Sequence, residues 1–306
     1  MPGADYITVD VFTTDRFAGN PLAVVADARA MTDREMQQVA TEFNYSESTF
    51  VLPSEDPANT ARVRIFTPTK EIPFAGHPNV GTGFVLGQMM ELFGKPLGDR
   101  LRLEEDAGLV EVDLLRDEGG SVVGATIRAP RALELADELS PDLVARCASI
   151  SAETIKTTSH APVIASVGLA FAVVELEDLD ALAAAKPDLA AFHEASRIHA
   201  HGSSDFSLFL YVRNPEDPSR IRARMFAPLD NVPEDPATGS ASAALAALLT
   251  TLDAKSDGEF NYVLEQGVEM GRRSVIEIKA IKTGGSVTDV RITGRCVPVM
   301  RGSIAL

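Results

Sequence analysis

The chain has 306 residues, which at roughly 150 residues per domain sets an expectation of about two domains with cores of their own, needing no metal or disulfide staple. Its 28 Lys and Arg stand against 44 Asp and Glu, a formal charge of −16, and this surplus argues against nucleic acid or an anionic membrane as a partner. No stretch approaches roughly 18 unbroken apolar residues, Cys147 and Cys296 form neither a metal pair nor a disulfide framework, and no leader-like segment precedes the strand-like residues 7–12; the expectation is a cytoplasmic protein.

In chain order, an amphipathic helix is expected over residues 33–43, followed by the polar cluster Asn44-Tyr45-Ser46-Glu47-Ser48 and a strand at 49–52. A second strand covers 62–66, and a helix with no charge before Glu91 is expected over 78–92. Alternating segments at 109–115 and 122–127 read as strands, and the chain crosses to a second domain near 119–130. Another amphipathic helix is expected over 179–196, strands at 209–212, 222–226 and 275–278, and a second uncharged helix over 240–252. Residues 296–306 read as a last strand returning to the first domain.

Part of this order is repeated. Arg62-Val63-Arg64-Ile65-Phe66-Thr67-Pro68 matches Arg222-Ala223-Arg224-Met225-Phe226-Ala227-Pro228 (222 − 62 = 160), and both copies are preceded by a strand and a Glu-Asp-Pro turn. A helix without a polar face belongs inside something. The expectation is therefore an α+β fold of two pseudo-symmetric domains, each a curved, mostly antiparallel sheet wrapped around a central helix. The first takes 1–125, joined by about 296–306, and the second 126–295.

Each central helix opens at a Gly-rich turn, Ala75-Gly76-His77-Pro78-Asn79 and Asp235-Pro236-Ala237-Thr238-Gly239-Ser240-Ala241. Glycine lets backbone approach a ligand, and the free N–H groups of a helix's first turn favour an anion. For one such turn, ordinary helix capping by Asp, Ser and Pro is the better explanation; occurrence in both copies turns the pair into a candidate cleft for a small carboxylate. Gly76 matches Gly239 at a larger spacing (239 − 76 = 163), which reads as an insertion of three residues, Glu234, Asp235 and Pro236, at the second entrance. His77 then corresponds to Ser240. Glu47, matched by Ser207 in the other copy, is a candidate general acid/base, with a solvated turn glutamate as the plain alternative.

Taken together, Phe17-Ala18-Gly19-Asn20-Pro21, Asn44-Tyr45-Ser46-Glu47-Ser48, Gly76-His77-Pro78, Glu234-Asp235-Pro236-Ala237-Thr238-Gly239-Ser240-Ala241 and Gln266-Gly267 resemble the PhzF-like isomerase family of phenazine biosynthesis over the full length. The resemblance implies the diaminopimelate-epimerase-like fold, a homodimer, and an isomerase that moves a proton between carbons of a small unsaturated or hydroxylated carboxylate without a cofactor or metal. It implies Glu47 as the proton-transferring residue, with His77, Asp235 and Ser240 as further catalytic residues and Asn20, Gly76, Thr238 and Gly239 binding substrate. The chain departs from the family pattern at Ala75, where cysteine is common, and at Arg273, where proline is.

Other chemistries fit less well. Two-thiol racemisation needs a cysteine at each helix entrance, and both cysteines lie elsewhere, expected as buried apolar residues. Serine hydrolysis lacks a Gly-x-Ser-x-Gly elbow. His193, His199, His201 and Asp205 crowd one segment that reads as solvated loop before it reads as zinc site. Gly81-x-Gly83 falls within a helix, where close packing explains it better than a dinucleotide. Two alternatives stay open: a non-catalytic small-carboxylate binding protein on the same fold, and an epimerase that does not use cysteines.

Overall fold

The computed structural model describes residues 3–199 and 205–306, and the chain divides into two compact units, residues 1–128 with 293–306 and residues 129–292.

In the first unit, β1 (Gly3–Val11), β2 (Asn20–Val25), α1 (Asp33–Phe43), β3 (Glu47–Leu52), β4 (Ala61–Phe66), β5 (Glu71–Ile72), α2 (Gly76–Gly87), β6 (Glu91–Leu92), β7 (Lys95–Pro96), β8 (Arg100–Glu105), β9 (Gly108–Arg116) and β10 (Val122–Arg128) follow in order. β1 pairs antiparallel with β2 and, on its other side, with the last strand of the chain. β2 and β3 are parallel, β3 and β4 antiparallel, β4 and β8 parallel, and β8, β9 and β10 antiparallel in turn. β10 pairs with the last strand as well. The uncharged α2 packs against β1, β2, β3, β9 and β10, which is where a helix with no polar face has to go. Glycines make the close approach possible: a Cβ on Gly81 would lie 2.5 Å from Leu22 Cδ2, and one on Gly83 2.5 Å from Val112 Cγ1.

The second unit contains β11 (Glu134–Glu138), α3 (Pro141–Ala148), β12 (Val163–Ser166), β13 (Ala170–Glu175), α4 (Leu179–Ala184), α5 (Leu189–Ile198), β14 (Leu208–Arg213), β15 (Arg220–Ala227), β16 (Val232–Asp235), α6 (Gly239–Leu252), β17 (Gly258–Gln266) and β18 (Ser274–Thr283). β19 (Ser286–Ala305) is the long last strand. β13 and β14 are parallel, β14 and β15 antiparallel, β15 and β17 parallel, and β17 and β18 antiparallel. α6 packs against β12, β13, β17 and β18.

The registers carry the repeat seen in the sequence. Ser48 lies opposite Phe66 in one unit and Leu208 opposite Phe226 in the other, each pair displaced by 160 (208 − 48, 226 − 66). Side-chain contacts repeat too. Arg64 grips Glu71 through two bonds of 2.6 Å and lies over Phe66, while Arg224 grips Glu234 at 2.8 and 2.9 Å and lies over Phe226.

These pairs correct the position expected for the insertion. Glu234 matches Glu71 at a spacing of 163 (234 − 71), and Asp235 lies opposite Met225 where Ile72 lies opposite Ile65. The extra residues therefore precede Glu234, in the turn and irregular pairing between β15 and β16, and Glu234 is a structural ion-pair partner. Three other expectations also change. The helix expected over 179–196 is two, because Pro187 cannot continue α4 and Asp188 caps α5 by accepting from Ala191 N at 2.8 Å. The helix expected over 78–92 runs from Gly76 to Gly87 and gives way to the β6–β7 hairpin. The last strand begins at Ser286, ten residues before the expected start (296 − 286).

Candidate functional site

In the first unit α1 opens on a reciprocal cap, Thr32 accepting from Glu35 N and Glu35 from Thr32 N, and ends at Asn44 in a left-handed conformation with φ of 52°. That ending turns the chain through Tyr45 and Ser46 into β3, so Glu47 is the first residue of a strand rather than part of a loop. Its side chain is 17% exposed, which sets aside the solvated-turn alternative. A bond of 2.8 Å between Thr49 Oγ1 and Thr82 Oγ1, both buried, ties β3 to α2.

Glu47, His77 and Asn20 come together. Glu47 Oε2 lies 3.5 Å from His77 Nδ1, and Asn20 Nδ2 lies 3.4 Å from the same nitrogen. Ser46 Oγ donates to Asn20 Oδ1 at 3.0 Å, which fixes the amide with its NH2 toward the imidazole. Burial drives the His77 pKa down to about 3, so at neutral pH the ring is uncharged. Both the Asn20 amide and the Glu47 carboxylate face Nδ1, while Nε2 is a buried atom with no hydrogen-bond partner among the described residues.

The loop that delivers Asn20 is fixed from beneath. Asp10, buried, accepts from Phe17 N at 2.6 Å, and Gly19 has φ of 65° with no room for a Cβ, which would lie 2.4 Å from Val11 O.

In the second unit Asp235, Thr238, Gly239 and Ser240 stand together at the start of α6, all buried. Thr238 Oγ1 donates to Asp235 Oδ2 at 2.5 Å. Gln266, fully buried, holds this turn at three points: Oε1 accepts from Thr238 N at 3.1 Å, and Nε2 donates to Asp235 O at 2.7 Å and Thr238 Oγ1 at 3.0 Å. Neither α2 nor α6 has a side-chain cap from its N-cap residue or an acid in its first turn, unlike α1. Their leading N–H groups keep the character of an anion site.

The repeated helix entrances and the family resemblance singled out Glu47, His77, Asp235, Ser240, Asn20, Gly76, Thr238 and Gly239, but not Asp10, Asn79, Glu105 or the work of Gln266. Ionisable and amide residues inside strands look like solvated face until the pairing is known. Both cysteines are buried, and burial raises both thiols, Cys147 to about 12. The positions before Gly76 and Gly239 are Ala75 and Thr238, so the thiol pair of a racemase is absent from both entrances. In the histidine-rich segment His193 is exposed, His199 pairs with Asp137 at 3.1 Å and His201 lies outside the described residues; among those described, no group of side chains is arranged to hold a metal ion. No helix among them is long and apolar enough to cross a membrane.

A profile of the PhzC-PhzF family, phenazine biosynthesis-like protein, matches residues 9–302. An uncharacterised isomerase of Mesorhizobium japonicum is 36% identical over 99% of each chain. The trans-2,3-dihydro-3-hydroxyanthranilate isomerase of Pseudomonas fluorescens is 35% identical, again over 99% of each. Among solved structures, the PhzF-family phenazine biosynthesis protein of Bacillus anthracis superposes with a TM-score of 0.86 at 25% identity, covering all of both chains. With the Glu47–His77 pair in one unit and the Asp235–Thr238 turn in the other, this chain belongs to the PhzC-PhzF phenazine biosynthesis-like family and is an isomerase of the PhzF type.

Proposed function

We propose that the protein moves a proton between two carbons of a small unsaturated or hydroxylated carboxylate, with Glu47 as the general acid/base. Glu47 takes the proton from one carbon and returns it to another, so the net reaction needs no redox partner. His77 and Asp235 hold substrate hydroxyl groups or the enolate that forms as the proton leaves, and a neutral His77 does so without adding charge. Ser240, Thr238 and Asn20 orient the substrate, and the first-turn N–H groups at Gly76 and Gly239 bind its carboxylate. The unsaturated hydroxy acid named for the Pseudomonas fluorescens relative is the substrate class we extend to this chain. We include in the proposal a homodimer working in the cytoplasm, the dimer testable by sedimentation equilibrium.

The observation that carries the proposal is the Glu47 carboxylate 3.5 Å from a buried, uncharged imidazole oriented by Asn20. Incubation in D₂O with trans-2,3-dihydro-3-hydroxyanthranilate and related unsaturated hydroxy acids tests it. Deuterium appearing at carbon supports proton transfer; tight binding of these acids with no exchange supports a non-catalytic binding protein instead.

A further inference from the structure

The entrance of α2 holds a carboxyl group that the proposed reaction does not use. Glu105, the last residue of β8, is 9% exposed, and the Asn79 side chain in the first turn of α2 lies against it. Neither Glu105 oxygen has a hydrogen-bond partner among the described residues, and neither does Asn79 Oδ1. Asn79 Nδ2 donates to Ala75 O at 3.0 Å, which leaves its second N–H and its amide oxygen to meet the acid. A carboxylate and an amide oxygen both only accept, whereas a protonated carboxyl carries a donor. One proton on Glu105 gives the unpartnered Asn79 oxygen a donor, while the acid's other oxygen can still face the second Asn79 N–H.

The second unit shows the same arrangement with its partners in place. Arg62 lies opposite Glu104 in the β4–β8 pair, and Arg222 opposite Glu265 in the β15–β17 pair. The next residues along are Glu105 and Gln266, which makes them equivalents (266 − 105 = 161, as 265 − 104). Asn79 has its own counterpart in Ser242, whose Oγ donates to Thr238 O at 2.9 Å as Asn79 donates to Ala75 O (242 − 79 = 238 − 75 = 163). Gln266 is the residue that ties down the α6 entrance. A protonated glutamic acid has the shape of glutamine and, like it, one donor and one acceptor end.

We infer that Glu105 works as a protonated acid and is a positioning residue, holding the Ala75-Gly76-His77 entrance through Asn79 as Gln266 holds the entrance of α6. This rests on the reading that the entrance binds substrate. Burial pushes the Glu105 carboxyl up to about 8, outweighing the Asn79 side chain, which pulls it down, and the neighbouring Asp106 charge acts in the same direction as burial. The other charged groups nearby are otherwise engaged. Asp106 lies 3.6 Å from Arg62 of β4, and Glu104 accepts from Glu55 N, Asp56 N and Asn59. His77, on the same helix, has its pKa at about 3 and is silent near pH 8.

Carbon-13 NMR of protein labelled at the glutamate carboxyl tests the inference without any substrate, so it stands or falls separately from the isomerase reading. The expected result is one carboxyl signal titrating with a midpoint near pH 8, lost in Glu105→Gln. The Gly76 amide and His77 ring signals should move with that midpoint in the unmodified protein and stay at their acid-form positions in Glu105→Gln. In Glu105→Ala they should be displaced at every pH; should that variant not fold, the comparison with Glu105→Gln alone decides. Glutamate carboxyls that all titrate below pH 6, or entrance signals that ignore the Glu105 titration, would overturn it.

Discussion

Glu105 and Gln266 occupy one position in two copies of the same plan, each the residue after a glutamate that faces an arginine across a parallel strand pair. One is an acid and the other its neutral isostere, yet both are buried beside the turn that opens a central helix.

The difference between them has a consequence for stability. A carboxyl held near 8 when folded and near 4.5 when unfolded binds more protons in the folded state across that window. Stability from this group is therefore full below pH 4.5 and is lost as pH rises toward 8. Urea denaturation at pH 5 and pH 9 should show Glu105→Gln gaining on the unmodified protein by several kcal/mol on alkalinisation. An unchanged difference at the two pH values contradicts it.

His77 gives the opposite sign. Its folded pKa of about 3 lies below the ordinary imidazole value of 6.5, so the unfolded chain binds the extra proton between those values. Stability then falls as pH drops from 6.5 toward 3. His77→Gln should remove this acid-labile component, read as a smaller loss of denaturation midpoint between pH 7 and pH 4. Because the ring is already neutral at pH 7, His77 should also add no limb to the pH–rate profile between pH 5 and pH 8.

The repeated ion pairs are not equal in burial. Arg224 is buried and also donates to Leu182 O and Ala185 O at 2.9 Å and Ala183 O at 3.2 Å. Arg64 sends its remaining bonds to the exposed Asp33 and to Met36 Sδ. Arg224→Met should cost about 3–5 kcal/mol, since it strands three carbonyls and the Glu234 charge. Arg64→Met should cost roughly 1–2 kcal/mol, because water can reach the partners it leaves. Equal losses in thermal or urea denaturation would mean that the two pairs do the same work.

How much of this was legible beforehand depends on the range of the forces involved. α1 was readable to its ends, because its cap residues Thr32 and Glu35 and its apolar stripe are local. The central helices were readable from their lack of charge, and the repeat from a seven-residue echo. Glu234 was read as part of an insertion at the second entrance because its partner, Arg224, lies across a hairpin whose extra residues sequence spacing assigned to the wrong side. Glu105 could not be picked out of the Glu104-Glu105-Asp106 run, in which only alternation of the strand turns one side chain inward. The Gln266 equivalence was recoverable in principle, but only after strand pairing set the spacing at 161 for that stretch.

The most direct test of the central claim compares the unmodified protein with Glu47→Gln in D₂O, following deuterium at carbon in trans-2,3-dihydro-3-hydroxyanthranilate or whichever unsaturated hydroxy acid exchanges. The substitution keeps the side chain's size and removes its capacity to accept and return a proton. Exchange should fall by about 10²–10⁴-fold while the dissociation constant for the acid changes little. A Glu47→Gln protein that exchanges as fast as the unmodified one would show that the proton is carried by another group.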